Sequence, residues 1–134
     1  MFEGHDTTAM AIVFGLMLIA DHEEVQDGIY EECQKILGDS DRTPTMSDLA
    51  DMKYLEAVIK ETLRLYPSVP FIAREITEDF SLGQRFAMLE MKCVLSAICR
   101  NFRLAPKVKG SRPPLIADML IRPEKPIYVK FSRR

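Results

Sequence analysis

Apolar residues run unbroken from Ala9 to Ala20, then return every three or four positions through three later segments. The first run predicts a buried helix over about 2–20, because its twelve residues fall short of the roughly 20 needed to span a membrane. Val25, Ile29, Cys33, Ile36 and Leu37 form one stripe and predict a second helix over 22–37. Leu55, Val58, Ile59, Thr62, Leu63 and Tyr66 do the same for a helix over 53–66, which Pro67 stops. Residues 83–101 are apolar nearly all round, the pattern of a helix buried on most sides.

Local signals set the ends. Asp21-His22-Glu23-Glu24 reads as a new N-cap with glutamate at the third helical position. Gly38 suits the residue just past the second helix, where a left-handed backbone is common. Residues 38–46 read as a polar loop, and Thr45 or Ser47 as the cap of a short turn at 47–51. Residues 69–76 read as extended, with Pro70 confining them to an edge or irregular strand. Strands at about 115–121 and 126–131 are expected to pair as a C-terminal hairpin. The first turns of the 2–20 helix are poor helix material, since Gly4 costs about 1 kcal/mol relative to alanine and Thr7-Thr8 is β-branched.

Charge and cysteine usage narrow the classes. The 134 residues suffice for one domain with a core, and the net charge of -2 leaves no basic footprint for nucleic acid. Cys33, Cys93 and Cys99 show neither zinc spacing nor a disulfide framework, so they read as reduced thiols, mostly buried. No basic region precedes the first apolar run, so no secretory signal is expected. No transmembrane segment is expected either. A chain that opens inside a buried helix predicts a truncated start.

Three groups of residues carry candidate chemistry. Glu61 and Arg64 stand three apart on one helix and can pair; the plain alternative is an exposed surface ion pair. In Glu3-Gly4-His5-Asp6-Thr7-Thr8, glycine admits close approach to the backbone, and an acid beside a hydroxyl can relay protons. The same residues also read as a frayed, capped helix start. His5 has no ligand partner one turn on and is not expected to bind metal. The third group is Gly83-Gln84-Arg85-Phe86-Ala87, preceded by Phe80-Ser81-Leu82.

The order Glu-Gly-His-Asp-Thr-Thr, Glu-x-x-Arg, Leu-Tyr-Pro-Ser-Val-Pro with a following arginine, then Gly-Gln-Arg-Phe-Ala resembles cytochromes P-450, and in wording family 4 with its fatty-acid-type hydroxylases. The resemblance covers nearly the whole chain. It implies a mainly α fold: the C-terminal part of the cytochrome P-450 fold, with distal, Glu-x-x-Arg and proximal helices, small strands and a C-terminal hairpin. It implies haem as cofactor, with an NADPH-dependent reductase and a lipophilic substrate as partners of the complete protein. It also implies a place on the cytosolic face of the endoplasmic reticulum membrane, although this chain shows no anchor and would then be cytosolic.

Roles follow from the resemblance position by position. Asp6 and Thr7 match the acid-alcohol pair that delivers protons to iron-bound oxygen, and Gly4 the position that leaves oxygen room. Glu3 matches a glutamate that forms an ester with the haem periphery in many family 4 members. Glu61 and Arg64 match the pair that locks the proximal side, and Arg74 falls where a haem propionate is paired. Residues 68–72 and the hairpin from 115 fall where the family contacts substrate.

The chain is expected to depart from the family in lacking the N-terminal anchor and most helices before the distal helix, and at one internal point. The iron-ligating cysteine position falls on Ser81, because Asp79-Phe80 runs straight into Ser81-Leu82-Gly83 where the family has several dozen further residues. These include the cysteine loop and the arginine that completes a triad with Glu61 and Arg64. The expectation is therefore one partial domain over 1–134 with a deletion junction near 80–81, inactive as a monooxygenase because a hydroxyl cannot replace a soft anionic sulfur. The alternatives are a non-catalytic helical binding or regulatory protein and a mis-assembled gene model.

Overall fold

The computed structural model describes residues 3–40, 42–69, 84–117 and 120–134, with positions 3–5, 84 and 85 given by their backbone alone. The helices are α1 (Glu3–Asp21), α2 (Glu23–Leu37), α3 (Met46–Asp51), α4 (Lys53–Leu65) and α5 (Gln84–Asn101). The strands are β1 (Phe102–Pro106), β2 (Leu115–Ala117), β3 (Ile121–Pro123) and β4 (Val129–Arg133). The mainly α architecture with small antiparallel strands matches the expectation from the sequence.

Four helices share one core. Ala11 and Ile19 of α1 meet Ile29 and Cys33 of α2, Leu55 and Ile59 of α4, and Leu95 and Cys99 of α5, all almost fully buried. These residues recur at helical spacing, so each helix offers one apolar stripe to the others. Phe14 is completely buried and its ring stacks on Tyr66 at 4.8 Å and 13°, fixing α1 over the end of α4. Among the described residues no buried side-chain nitrogen or oxygen lacks a hydrogen-bond partner.

Polar ties join elements far apart in sequence. The buried Gln26 amide donates to the Leu104 carbonyl at 3.1 Å and accepts from the Leu104 N–H at 2.6 Å, docking β1 on α2. The Glu32 carboxylate accepts from the backbone N–H groups of Tyr54 at 2.6 Å and Leu55 at 2.9 Å. Thus α2 caps the start of α4, whose own N-cap, Met52, has no side-chain acceptor. Gly28 makes the approach possible, because a Cβ there would lie 2.7 Å from the Tyr54 ring.

The structure corrects several expectations. The C-terminal hairpin is not 115–121 against 126–131. Instead β2 pairs with β3, Leu115 opposite Pro123, whereas β4 runs antiparallel to β1, Leu104 opposite Phe131. Pairing with β1 brings the Phe131 ring edge-on to Phe102 at 5.9 Å, a contact that a local hairpin cannot supply.

Nor does Asp21 cap α2: the N-cap is His22, without a side-chain bond to the helix start, and Asp21 accepts from the Gly110 N–H at 2.8 Å. The α5 helix is buried or half-buried over most of its described residues, as expected, with Phe86 76% exposed and Lys92 2% exposed. Thr45 does cap α3, in a reciprocal capping box with Asp48. Gly38, at φ 62, ends α2. The extended segment expected over 69–76 lies, beyond Val69, outside the described residues.

Gln26→Leu should leave both backbone groups of Leu104 unpaired in an apolar setting and cost about 3 kcal/mol of stability. Urea unfolding followed by far-ultraviolet circular dichroism measures it, and a loss well under 1 kcal/mol would contradict this account of how β1 is held.

Candidate functional site

Three helical stripes enclose a groove of about 1120 Å³. Thr7, Thr8 and Ala11 of α1 form one wall, and Ala87, Met88 and Met91 of α5 the other. Along α4, Lys53, Glu56, Lys60, Leu63 and Arg64 follow the three-and-four spacing that keeps them on one face, and they line the floor and rim. Pro67, Ser68 and Val69 close the end where the chain leaves α4. Thr8 and Ser68 are buried polar residues in this otherwise largely apolar setting.

Lys92 reaches the groove from below. Its ammonium donates to the Leu49 carbonyl and to Glu56 Oε2, each at 2.8 Å. Glu56 Oε1 accepts from Lys60 at 2.8 Å. Hydrogen bonds from Lys60 and then Lys92 hold the Glu56 carboxyl well below its ordinary range, at about 2. Glu61 and Arg64 pair through two bonds, Nε to Oε2 at 2.8 Å and a terminal nitrogen to Oε1 at 2.7 Å. Both side chains stay exposed, at 55% and 67%, as expected from their place away from the Leu55 face.

The anticipated site residues are distributed unevenly around this groove. Thr7 lines it; Arg64 lines its rim, with Glu61 bound beside it. Asp6 is exposed and lies 3.8 Å from Arg122 of β3. Glu3 and Gly4 occupy the first turn of α1 and His5 follows them, with side chains not described. Arg74 and Ser81 lie outside the described residues, as does the junction near 80–81. Of residues 68–72, Ser68 and Val69 are described and both line the groove. The role of Lys92 escaped the sequence reading, because a lysine within an apolar helix reads as a solvated interruption. Its partner Glu56 carried a usable signal, four residues before Lys60.

The donor chemistry of the groove is specific about what it lacks. Its lining carries hydroxyls, cations, one carboxylate and the neutral thioethers of Met88 and Met91, but no thiol among the described residues. Cys33 and Cys99 are buried elsewhere, and desolvation pushes their thiols up to about 11 and about 12. Among the described residues no group of three or more histidine, cysteine or acidic side chains could hold a metal ion, and no helix is long and apolar enough to cross a membrane.

A family model described as Cytochrome P450 matches the chain in two stretches, residues 1–83 and 81–131. Cytochrome P450 4V2 of Homo sapiens is 33% identical over 194 residues, covering 100% of this chain and 37% of its own length. Cytochrome P450 4g15 of Drosophila melanogaster is 31% identical over 196 residues, covering 100% of this chain and 34% of its own. Cytochrome P450 4c3 of Drosophila melanogaster is 44% identical over 116 residues, covering 84% of this chain and 22% of its own. The chain therefore matches between about a fifth and somewhat more than a third of the length of such relatives. The alignment with the human protein runs 60 positions beyond the chain's 134 residues.

Two expectations follow from the charges and thiols. Because the folded Glu56 carboxyl titrates below its ordinary value of 4.5, its contribution to stability is complete above that pH and is lost as pH falls toward about 2. Acid titration of the denaturation midpoint should show this loss. Glu56→Gln should flatten it in part, leaving the share of Asp48, which Arg42 and Thr45 also hold low. Cys33 and Cys99 should react with a disulfide thiol reagent at pH 8 only on unfolding, and fast labelling of either in the native chain would contradict their burial.

Proposed function

The chain belongs to the cytochrome P450 family, and from that premise we propose that it is an internally deleted, family 4-like member that lacks the loop presenting a cysteine to haem iron. The carrying observation is the order of its motifs, Glu3 to Thr8, Glu61-x-x-Arg64 and Gly83 to Ala87, with the family match breaking at 81–83. The surplus of aligned positions in the relatives is consistent with an internal deletion, and the two stretches of the family match, 1–83 and 81–131, support a junction near 80–81. The complete protein is then a haem monooxygenase at the endoplasmic reticulum membrane. It draws electrons from an NADPH-dependent reductase and hydroxylates a lipophilic substrate of fatty-acid type.

Complete members of the family carry haem. There haem supplies an iron whose thiolate ligand favours cleavage of the O–O bond. The residues of this chain suit part of that group only. Ala11, Ala87 and Met88 offer apolar walls and Arg64 a guanidinium at the rim, but among the described residues nothing lining the groove is a soft anion. We derive no catalytic step for this chain. In the complete protein Asp6 and Thr7 would be the acid and hydroxyl on the distal side of the haem, and Gly4 would leave space beside them. Glu3 would bond the haem edge, Arg74 would pair a propionate, and Glu61 with Arg64 would brace the proximal side.

A second reading has an observation of its own. Among the described residues one continuous apolar core forms and no buried side-chain nitrogen or oxygen lacks a partner, which supports a chain that folds without haem and acts as a non-catalytic helical binding protein.

Titrating the purified chain with haem and recording the reduced carbon-monoxide spectrum tests the main reading. We expect no thiolate-type band, and none from Ser81→Cys, because the loop that would aim the sulfur is missing with it. A stable thiolate-type spectrum from the unaltered chain would sink the claim of inactivity, and one from the single mutant would sink the junction.

A further inference from the structure

We propose that Thr43 is a phosphorylation site for a proline-directed protein kinase, and that a phosphate there loosens the start of α3. Of the eight prolines in the chain, only Pro44 follows a hydroxyl residue. Proline has no N–H, so an enzyme cleft that offers no acceptor after its target hydroxyl accepts proline and disfavours residues whose N–H would be left unpaired. Proline also biases the residue before it away from the helical region, which keeps Thr43 extended for entry into such a cleft.

Hydrogen bonding singles out the same residue. Thr43 is exposed, lies in neither helix nor strand, and has no hydrogen-bond partner among the described residues. The hydroxyls around it are committed or misplaced. Ser40 donates to the Leu37 carbonyl at 2.9 Å. Thr45 donates to Asp48 Oδ2 at 2.7 Å and accepts from the Asp48 N–H at 3.3 Å. Ser47 lies inside α3, which would have to unwind first. Thr43 is meanwhile presented between two anchors. Arg100 donates to the Ser40 carbonyl at 2.6 Å, and Arg42 grips Asp48 through both terminal nitrogens. Asp39, Ser40, Arg42 and Thr45 make the stretch polar, so covering it with another element would gain little.

The α3 helix gives the modification an effect. It starts from the capping box of Thr45 and Asp48, and Arg42 pairs with that same carboxylate. Thr43 adjoins Arg42 and stands two residues before Thr45. A phosphothreonine carries about -1.5 to -2 charges at pH 7, with three strong acceptor oxygens. It competes with Asp48 for the Arg42 guanidinium and repels the Asp48 carboxylate. Leu49 of α3 also supplies the carbonyl to which Lys92 donates at 2.8 Å, so a loosened α3 is felt at α5. In the transfer itself the Thr43 oxygen bonds the γ-phosphorus of ATP and the bond to the β–γ bridging oxygen breaks. ADP leaves, and the hydroxyl proton passes to the base of the kinase.

The test treats the full 134-residue chain with a mitogen-activated protein kinase and magnesium ATP, and maps the product by tandem mass spectrometry. One phosphate on Thr43 is expected. Thr43→Val should abolish it and, at an exposed position without a side-chain bond, should keep the circular dichroism of the unaltered chain. Pro44→Ala should slow labelling about tenfold or more, the effect of one unpaired N–H in the kinase cleft. Thr45→Val should leave Thr43 labelled. The phosphorylated chain should melt on the order of 4 °C lower, the shift expected for the loss of one helix cap. Arg42→Gln should shrink that difference by about half or more, because phosphate and guanidinium act through one carboxylate.

Absence of labelling in the folded chain overturns the proposal, and so does labelling that Thr43→Val leaves intact. A phosphate on Thr43 that leaves the melting temperature unchanged, or lowers it as much in Arg42→Gln, overturns it as well.

Discussion

A buried lysine holds the arrangement of helices together. Moving an ammonium out of water costs several kcal/mol even after relaxation, and that cost is met only where charge and hydrogen bonds compensate it fully. Lys92 meets the condition with one carboxylate oxygen and one backbone carbonyl, and the two come from different elements, Glu56 of α4 and Leu49 of α3. Once α5 packs with Lys92 inward, α3 and α4 are therefore placed as a unit, and the face of α4 that forms the groove floor is set by the same contact.

The helices were legible because their signal is local. A stripe at three-and-four spacing marks α2 and α4, and Pro67, Gly38 and Thr45 mark ends through backbone chemistry that needs no distant partner. The strands were not legible in their pairing. Residues 115–123 and 129–133 lie close in sequence, yet β4 joins β1, whose position depends on Gln26 seventy-eight residues before Leu104. Strand β1 itself follows α5 without a turn signal, Asn101 in the helix and Phe102 in the strand, so periodicity alone runs the two together. Asp21 failed as a cap for a similar reason: a distant N–H, that of Gly110, competes for its carboxylate.

The candidate site shows the same division. The Glu61–Arg64 pairing was readable, since residues three apart on a helix stand side by side. The acid beside Thr7 sits on the solvent side, toward Arg122, because adjacent residues in a helix diverge by about 100°. Lys92 was unreadable, for its second acceptor is the backbone of Leu49, and a carbonyl has no signature in sequence. Glu32 is another case, a carboxylate from α2 that completes the start of α4 where Met52 cannot.

These contacts separate what keeps the fold from what marks the family. The Glu61–Arg64 pair is well formed but exposed on both sides, and exposed pairs contribute at most about 1 kcal/mol. The pair therefore adds little to the stability of the described structure. The contacts that do hold the described structure, Lys92 with Glu56, Gln26 with Leu104 and Glu32 with the α4 start, lie outside the recognised motifs. The interactions that pack the described helices are therefore separate from the motifs by which the family is recognised, and each set can change without the other.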